Sequence, residues 1–350
     1  MSVADRIERI CSQDLDERAL RVALLAEIRR AVPFDFYAWV LTDPETCVGS
    51  APLAETPSMA DLPRLIRLKY LTVTNRWTNL ESNTPVSLFA ATNGDRSSSR
   101  IWSELLATYR VDDVVSIALR DRYGCWAFLD LWRLEGLFSK EDCSLLASVT
   151  EVVTAALRRS LVSTFASVSN APEDPGGPVV LLLSDDIDLV SQTPQTDAYL
   201  RALLPTDADR SPVPAAAYHV AAQLLAREEG IDENLPLARV HLRGGVWVTL
   251  RAARIDQGSA PVTASIAVSI EPTPPVARAG LYARVVGLTE REAELLHHLV
   301  GGHDTREIAG RMFVSEHTVQ DHLKSIFSKA GTNSRRVLVA RATGAVPVLR

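Results

Sequence analysis

The sequence predicts a multidomain fold: an α+β domain over residues 1–166, a second α+β domain over 178–272, and an all-α four-helix domain over 284–350. Three observations lead there. At 350 residues the chain is too long for one typical core. Two breaks interrupt it, SVSNAPEDPGGP from Ser167, rich in proline, glycine and serine, and the proline-rich EPTPP from Glu271, and they suggest linkers at 167–177 and 273–283. Beyond the second break the apolar spacing becomes purely helical, whereas before it helical and alternating patterns are mixed.

In the first block, Leu20, Leu24 and Ile28 mark a helix over Asp16 to Val32. FDFYAWVLT, from Phe34, is aromatic and strand-prone. Ser98 to Tyr109 reads as helical. VVSIALRD and CWAFLDLWR read as two strands around a turn at Arg122 to Gly124, and Lys140 to Leu161 as a long helix. In the second block VVLLLSDD is a strand entering a turn. Thr196 to Leu204 and Pro214 to Glu229 are helical, with a loop at Asp207 to Pro214. Gly244-Gly245 joins LARVHLR to VWVTLRAARI as a two-residue hairpin turn, and Ala264 to Ile270 adds a strand.

In the last block, Thr289 and Glu292 form a [ST]-x-x-E capping box. The helix they open buries Leu295, Leu296 and Leu299 and stops at Gly301-Gly302. Asp304 or Thr305 caps the second helix, which buries Ile308, Ala309 and Met312. Ser315 caps the third, about 315–329. There Val319, Leu323, Ile326 and Ala330 form one apolar stripe. The opposite face holds His317, Asp321, Lys324 and Ser328, with Gln320 on the flank. A capped helix with short polar groups on one face suits a DNA major groove. Asn333 or Ser334 starts a fourth helix. Arg335 and Arg336 in its first turn oppose the helix dipole, so they read as phosphate contacts.

These residues resemble the LuxR/FixJ type of helix-turn-helix domain: LTEREAELL, TREIAGRMFVSEHTVQDHLKSIFSKAG and NSRRVLVARA follow its pattern over some 55 positions. The resemblance implies that the third helix enters the major groove of double-stranded DNA and that the fourth pairs two copies, giving a homodimer. It places Thr318, His322 and Arg335 toward the DNA backbone. Thr305 and Arg306, at the second helix start, join this contact set. Where the family usually has Lys, this chain has Gln320, which can read adenine edges. Asp321 is also unusual there; it either accepts from cytosine or repels wrong registers. The first block, over about 15–165, resembles a GAF domain, and the second a PAS-like domain. Both are sensor folds, so a small-molecule ligand in the N-terminal domains is expected.

Composition narrows the class. Hydrophobic content of 47% with 23% charge is ordinary for a globular protein, and no stretch approaches the roughly 18 apolar residues of a membrane span. MSVADRIERICSQDLDER lacks the apolar core of a signal peptide, so a cytoplasmic protein without membrane contact is expected. Leu281 to Arg350 carries net +3 in a chain of net -6, consistent with a nucleic-acid-binding end. Cys11, Cys47, Cys125 and Cys143 form no CxxC pair, and the histidines form no metal-binding spacing. His219 and His241 read as structural rather than haem-ligating. Asp185-Asp186 resembles the opening of a phosphoacceptor receiver, but no lysine occurs between Lys140 and Lys324 to complete one. No catalytic constellation is present, and the protein is not expected to be an enzyme. Trp39, Trp77, Trp102, Trp126 and Trp132 read as core, with a pocket lining as the alternative. The reading is a ligand- or partner-controlled DNA-binding regulator. A quorum-sensing type autoinducer receptor and a non-DNA-binding interaction scaffold are its rivals.

Overall fold

Ser2 and Asp5 close a capping box that opens the first helix, Val3–Cys11 (α1). Asp16 caps the next, Glu17–Ala31 (α2), whose Leu20, Leu24 and Ile28 are all buried. The computed structural model describes residues 2–166, 177–203, 213–242, 245–255 and 266–344. In chain order there follow Phe36–Thr42 (β1), Gly49–Glu55 (β2), Leu62–Leu71 (α3), Val86–Ser87 (β3), Leu88–Ala91 (α4), Asp113–Asp121 (β4), Gly124–Arg133 (β5), Lys140–Ser160 (α5) and Ser163–Ala166 (α6). The strands form an antiparallel sheet in the order β2-β1-β5-β4-β3. Strand β2 carries no strand signal in its sequence, since Pro52 lies in its middle. As an edge strand it tolerates a residue with no N–H to donate.

The expected helix over 98–109 contains a wide π-type turn, in which the Ala107 N–H reaches the Trp102 carbonyl five residues back at 2.9 Å. Packing accompanies this departure. Ile101, Leu105 and Leu106 join one buried cluster with Leu65, Leu68 and Trp132, while the Trp102 indole donates to the Val111 carbonyl.

The second block holds Val179–Leu183 (β6), Leu189–Gln192 (β7), Pro194–Leu203 (α7), Ala215–Glu228 (α8), Leu237–His241 (β8), Trp247–Arg254 (β9) and Ile266–Pro272 (β10). Its sheet runs β7-β6-β10-β9-β8, the same order as the first when each is counted from its first strand. Asp185 and Asp186 lie in the turn after β6, where Ile187 takes a positive φ of 58°. Between β8 and β9 the Leu242 N–H closes on the Val246 carbonyl at 2.8 Å. Gly245, of the expected turn, has a φ of 78°, the positive value that a tight hairpin turn requires. Gly244 lies outside the described residues, as do 167–176 of the expected linker and 207–212 of the expected loop.

By compactness the chain divides into two units. One takes residues 1–157, 172–240 and 249–271; the other takes 158–171, 241–248 and 272–350. Within the first unit the two sheet-bearing blocks are joined by buried polar ties. Arg76 donates to Asp232 at 2.7 and 2.9 Å, Arg239 to Asp43 at 2.7 and 2.8 Å, and Thr46 Oγ1 to the Leu237 carbonyl at 2.6 Å. Helix α8 is buried on almost every side, as its run of alanines allows, and packs on α3 and β2.

In the second unit, the stretch 273–283, expected as a linker, holds a helix, Pro275–Val285 (α9). Packing explains the difference. The Phe165 ring lies 4.8 Å from Trp247 and 5.3 Å from Tyr282, and the Arg278 guanidinium covers it at 4.9 Å. Arg278 also donates to the Arg341 carbonyl, which fixes α9 against the end of the chain's last described helix.

Candidate nucleic-acid interface and a buried polar cavity

Four capped helices follow α9: Glu290–Val300 (α10), Thr305–Met312 (α11), Glu316–Ala330 (α12) and Arg335–Thr343 (α13). Their caps are Thr289, Asp304, Ser315 and Ser334, each accepting a backbone N–H on its side-chain oxygen. Asp304, not Thr305, caps α11, and Glu307 completes a capping box there. Between α11 and α12, Phe313 turns the chain at φ 55° and is 94% exposed. The stripe Val319, Leu323, Ile326 and Ala330 is buried, which turns the other side of α12 to solvent.

That exposed side carries His317, Gln320, Asp321 and Lys324, together with the N-cap Ser315. The structure brings three of them together. Asp321 accepts from Lys324 at 3.1 Å and faces the His317 Nε2 at 3.5 Å, and Lys324 first and His317 second hold its carboxyl below the usual range. Gln320 Nε2 reaches back to Thr305 Oγ1 at 3.5 Å, linking α12 to the start of α11. Thr318 and His322 are half-buried on the flanks, while Arg306 and Arg336 are exposed. Arg335 stands apart from the expected contacts in one respect: it donates to the His303 carbonyl, so it also ties α13 to the turn after α10.

Sequence spacing missed how Glu292 is used. Besides its cap, the carboxylate accepts from Ser325 Oγ and Lys329 Nζ, both at 2.6 Å, and it is 4% exposed. Burial alone would raise its pKa. The donors Lys329, Ser325 and Thr289 outweigh that and hold it at about 2. The i, i+4 spacing of Ser325 and Lys329 on one helix was the available signal; their partner, 33 and 37 residues upstream, was not legible.

The first unit contains a small cavity of about 20 Å³ between the first sheet, α3 and α8. Ala38, Val40, Pro52, Ala54, Leu65 and Ile66 supply apolar walls. The polar lining is Lys69, Asp130, Trp77 and His219. Lys69 Nζ donates to Asp130 at 2.9 Å and to Ser116 at 3.1 Å, and lies 5.0 Å from the Trp77 ring centroid. The Trp77 indole donates to the other Asp130 oxygen at 2.8 Å. Of the five tryptophans of this block, Trp77 and Trp132 line the cavity; Trp39, on the alternate residue between Ala38 and Val40, does not.

His219 is fully buried, and burial pushes its imidazole down to about 3, so it is neutral. Its Nδ1 lies 3.2 Å from the Tyr70 hydroxyl, which accepts the Gly49 N–H at 2.9 Å. Gly49 is needed for this contact, since a Cβ there would lie 2.5 Å from His219 Nδ1. Gly49→Ala is therefore expected to cost about 1–3 kcal/mol by overpacking. Thermal unfolding of Gly49→Ala, His219→Ala and the double variant checks this. Strictly additive effects would show that the two positions do not compete for the same space.

Capped helices, a tight turn and one exposed polar face make this segment a helix-turn-helix domain. By comparison, residues 286–342 match the family model of bacterial regulatory proteins, luxR family (GerE). SgaR of Hyphomicrobium methylovorum, a probable transcriptional regulatory protein, is 43% identical over 53 residues, 15% of this chain and 25% of that protein. The spore germination protein GerE of Bacillus subtilis (strain 168) is 42% identical over 48 residues, 14% of this chain and 65% of that protein. The chain thus spans a quarter of one curated relative and just under two thirds of the other. Among solved structures, Escherichia coli SdiA aligns over 96% of this chain and 94% of its own at 12% identity, with a TM-score of 0.33. Among the described residues no helix is long and apolar enough to cross a membrane, and no group of three or more histidine, cysteine or carboxylate side chains is placed to hold a metal ion.

Proposed function

We propose that the protein is a sequence-specific, DNA-binding transcription regulator that acts as a homodimer in the cytoplasm and is controlled by a small molecule bound in its N-terminal part. The observation that carries this reading is the luxR-family domain at 286–342 with the polar face of α12 turned to solvent. In this reading α12 is the recognition helix. His317, Gln320, Asp321 and Lys324 meet base edges, and Thr305, Arg306, Ser315, Thr318, His322, Arg335 and Arg336 meet the backbone. The Asp321–Lys324 pair neutralises part of that face, which shifts the reading toward hydrogen bonds from Gln320. The two sheets of like order are proposed as GAF-like (1–166) and PAS-like (178–272) sensor domains.

Selection of bound sequences from a random duplex library by the full-length protein tests the reading. The expected motif is two-fold symmetric. Affinity for it falls with salt by about 0.9 log units per decade for each phosphate contact, and Arg336→Ala lowers that slope by about one contact. Gln320→Ala changes base preference at one position of each half-site instead. No enrichment at low salt would sink this reading and leave the helical end as a protein-binding scaffold.

A further inference from the structure

We infer that Cys47 and Cys125 form an oxidisable thiol pair in the first unit, which a hydroperoxide closes to a disulfide. The pair lies outside the helix-turn-helix domain, and its chemistry does not depend on the function proposed above.

The first support is the way the fold brings the two cysteines together. The pairing of β1 with β5 runs from Phe36 opposite Trp132 to Leu41 opposite Ala127. Just beyond it, Thr42 Oγ1 donates to the Cys125 carbonyl at 2.6 Å, and the Cys125 N–H donates to the Pro44 carbonyl at 3.1 Å. The start of β5 therefore runs along the turn between β1 and β2. That turn is closed by the Cys47 N–H on the Asp43 carbonyl and the Asp43 N–H on the Val48 carbonyl, both at 2.9 Å. Gly124 permits the approach, since a Cβ there would lie 2.5 Å from the Pro44 carbonyl oxygen. The two thiols hydrogen-bond to one another. Cys47 also holds a left-handed φ of 58°. Glycine or asparagine adopts that conformation more readily, so turn chemistry alone does not call for a cysteine.

The second support is the unequal character of the two thiols. Cys125 is 2% exposed, and burial pushes its thiol well up. Cys47 is only half-buried. The hydrogen bond from Cys125 and the Arg120 guanidinium draw its thiol down, against burial and the Asp43 and Asp232 carboxylates. Strand register sets Arg120 directly opposite Cys125. Both carboxylates are already engaged, Asp43 by Arg239 and Asp232 by Arg76. Cys47 is thus the attacking thiolate and Cys125 the resolving thiol. Cys143 gives the contrast: it is also half-buried, but burial, Asp113 and Asp142 push its thiol up.

The chemistry has two steps. The Cys47 thiolate attacks a hydroperoxide oxygen; an S–O bond forms, the O–O bond breaks, and the leaving alkoxide or hydroxide takes a proton from water. Cys125 then attacks the Cys47 sulfenic sulfur. The S–S bond forms, the S–O bond breaks, and water leaves with the Cys125 proton. Two thiols are oxidised by two electrons in all, and one hydroperoxide becomes one alcohol or water and one further water. The turn that closes in this way carries Asp43 and Thr46, which hold Arg239 and the Leu237 carbonyl of β8. Oxidation is thereby conveyed to the tie between the two sheets.

Hydrogen peroxide added to the reduced full-length protein tests this, with timed alkylation and peptide mapping as the readout. The expected product is an intramolecular Cys47–Cys125 disulfide, and Cys47 is lost at least about tenfold faster than Cys143. Cys47→Ser leaves Cys125 reduced. Cys125→Ser stops Cys47 at the sulfenic acid, which dimedone traps. If the buried Cys125→Ser variant fails to fold, the wild-type map and Cys47→Ser decide the matter. Loss of Cys47 no faster than Cys143, a link between two copies, or a Cys47 that stays sulfenic in the wild type each overturns the pair. Amide exchange at Arg239, whose N–H donates to Asp43 Oδ2 at 2.9 Å, reads the tie. It is expected to change on oxidation of the wild type and not of Cys47→Ser. An unchanged rate in the wild type overturns the coupling to the second sheet.

Discussion

Arg76→Met is expected to destabilise the first unit by about 3–5 kcal/mol, among the largest effects of any single substitution in the chain. The guanidinium is 2% exposed, and its Nε and Nη2 both donate to Asp232 Oδ2. Thr78 Oγ1 adds a bond to the same oxygen at 2.6 Å, and the Asn234 N–H satisfies Oδ1 at 2.7 Å. Removing the arginine leaves a buried carboxylate without its counter-ion. Burial alone would raise Asp232, and these donors hold it low, so the loss falls on a charged group. The pair is not proposed as net stabilising over an apolar pair of similar volume. Arg76→Met with Asp232→Leu is therefore expected to recover most of the loss. Denaturant unfolding of the two variants decides it. A loss under about 1 kcal/mol for Arg76→Met would show that the two blocks hold together without this tie.

Glu292→Gln is expected to remove about 3 kcal/mol from the helix-turn-helix domain at neutral pH, and the effect has a defined pH window. The ordinary pKa of 4.5 falls to about 2 in the folded domain. The contribution is thus present in full above pH 4.5 and is lost as pH falls from 4.5 toward 2. Glutamine keeps the shape of the cap but gives up the charge that Lys329 and Ser325 meet. Amide hydrogen exchange over α10 and α12 reads the local stability. The difference between wild type and variant is the quantity to follow, because His219, held down to about 3, also makes acid unfavourable elsewhere in the chain. A difference that stays constant from pH 7 to pH 3 would show that the Glu292 charge is not what joins the two helices.

The helix-turn-helix end was almost wholly legible because its information is local. A cap is set by residues three apart, and an apolar stripe by residues four and seven apart. Thr289, Ser315, Ser334 and the stripe from Val319 to Ala330 all stand where spacing placed them. The strands β4 and β5 were legible for the same reason, through their tight turn. Edge strand β2 was not, because Pro52 contradicts strand propensity and only its place at the sheet edge excuses it. Helix α9 was hidden behind EPTPP. Its prolines read as a break, while the burial of Arg278 and Tyr282 that holds the helix involves Phe165, more than a hundred positions earlier.

The sequence by itself determined the class of the C-terminal domain, the exposed face of its third helix and the absence of a membrane-length apolar run. The tertiary structure decided which charges are already engaged: Lys329 with Glu292, Arg239 with Asp43, Arg76 with Asp232. It also decided where His219 meets Tyr70 and Gly49, and so where the cavity lies. The physical reason is range. Backbone capping and amphipathic spacing act within one or two turns and are written in neighbouring residues. Desolvation and ion pairing act wherever folding brings side chains together, over separations of 33 to 196 residues here, and no local pattern records them.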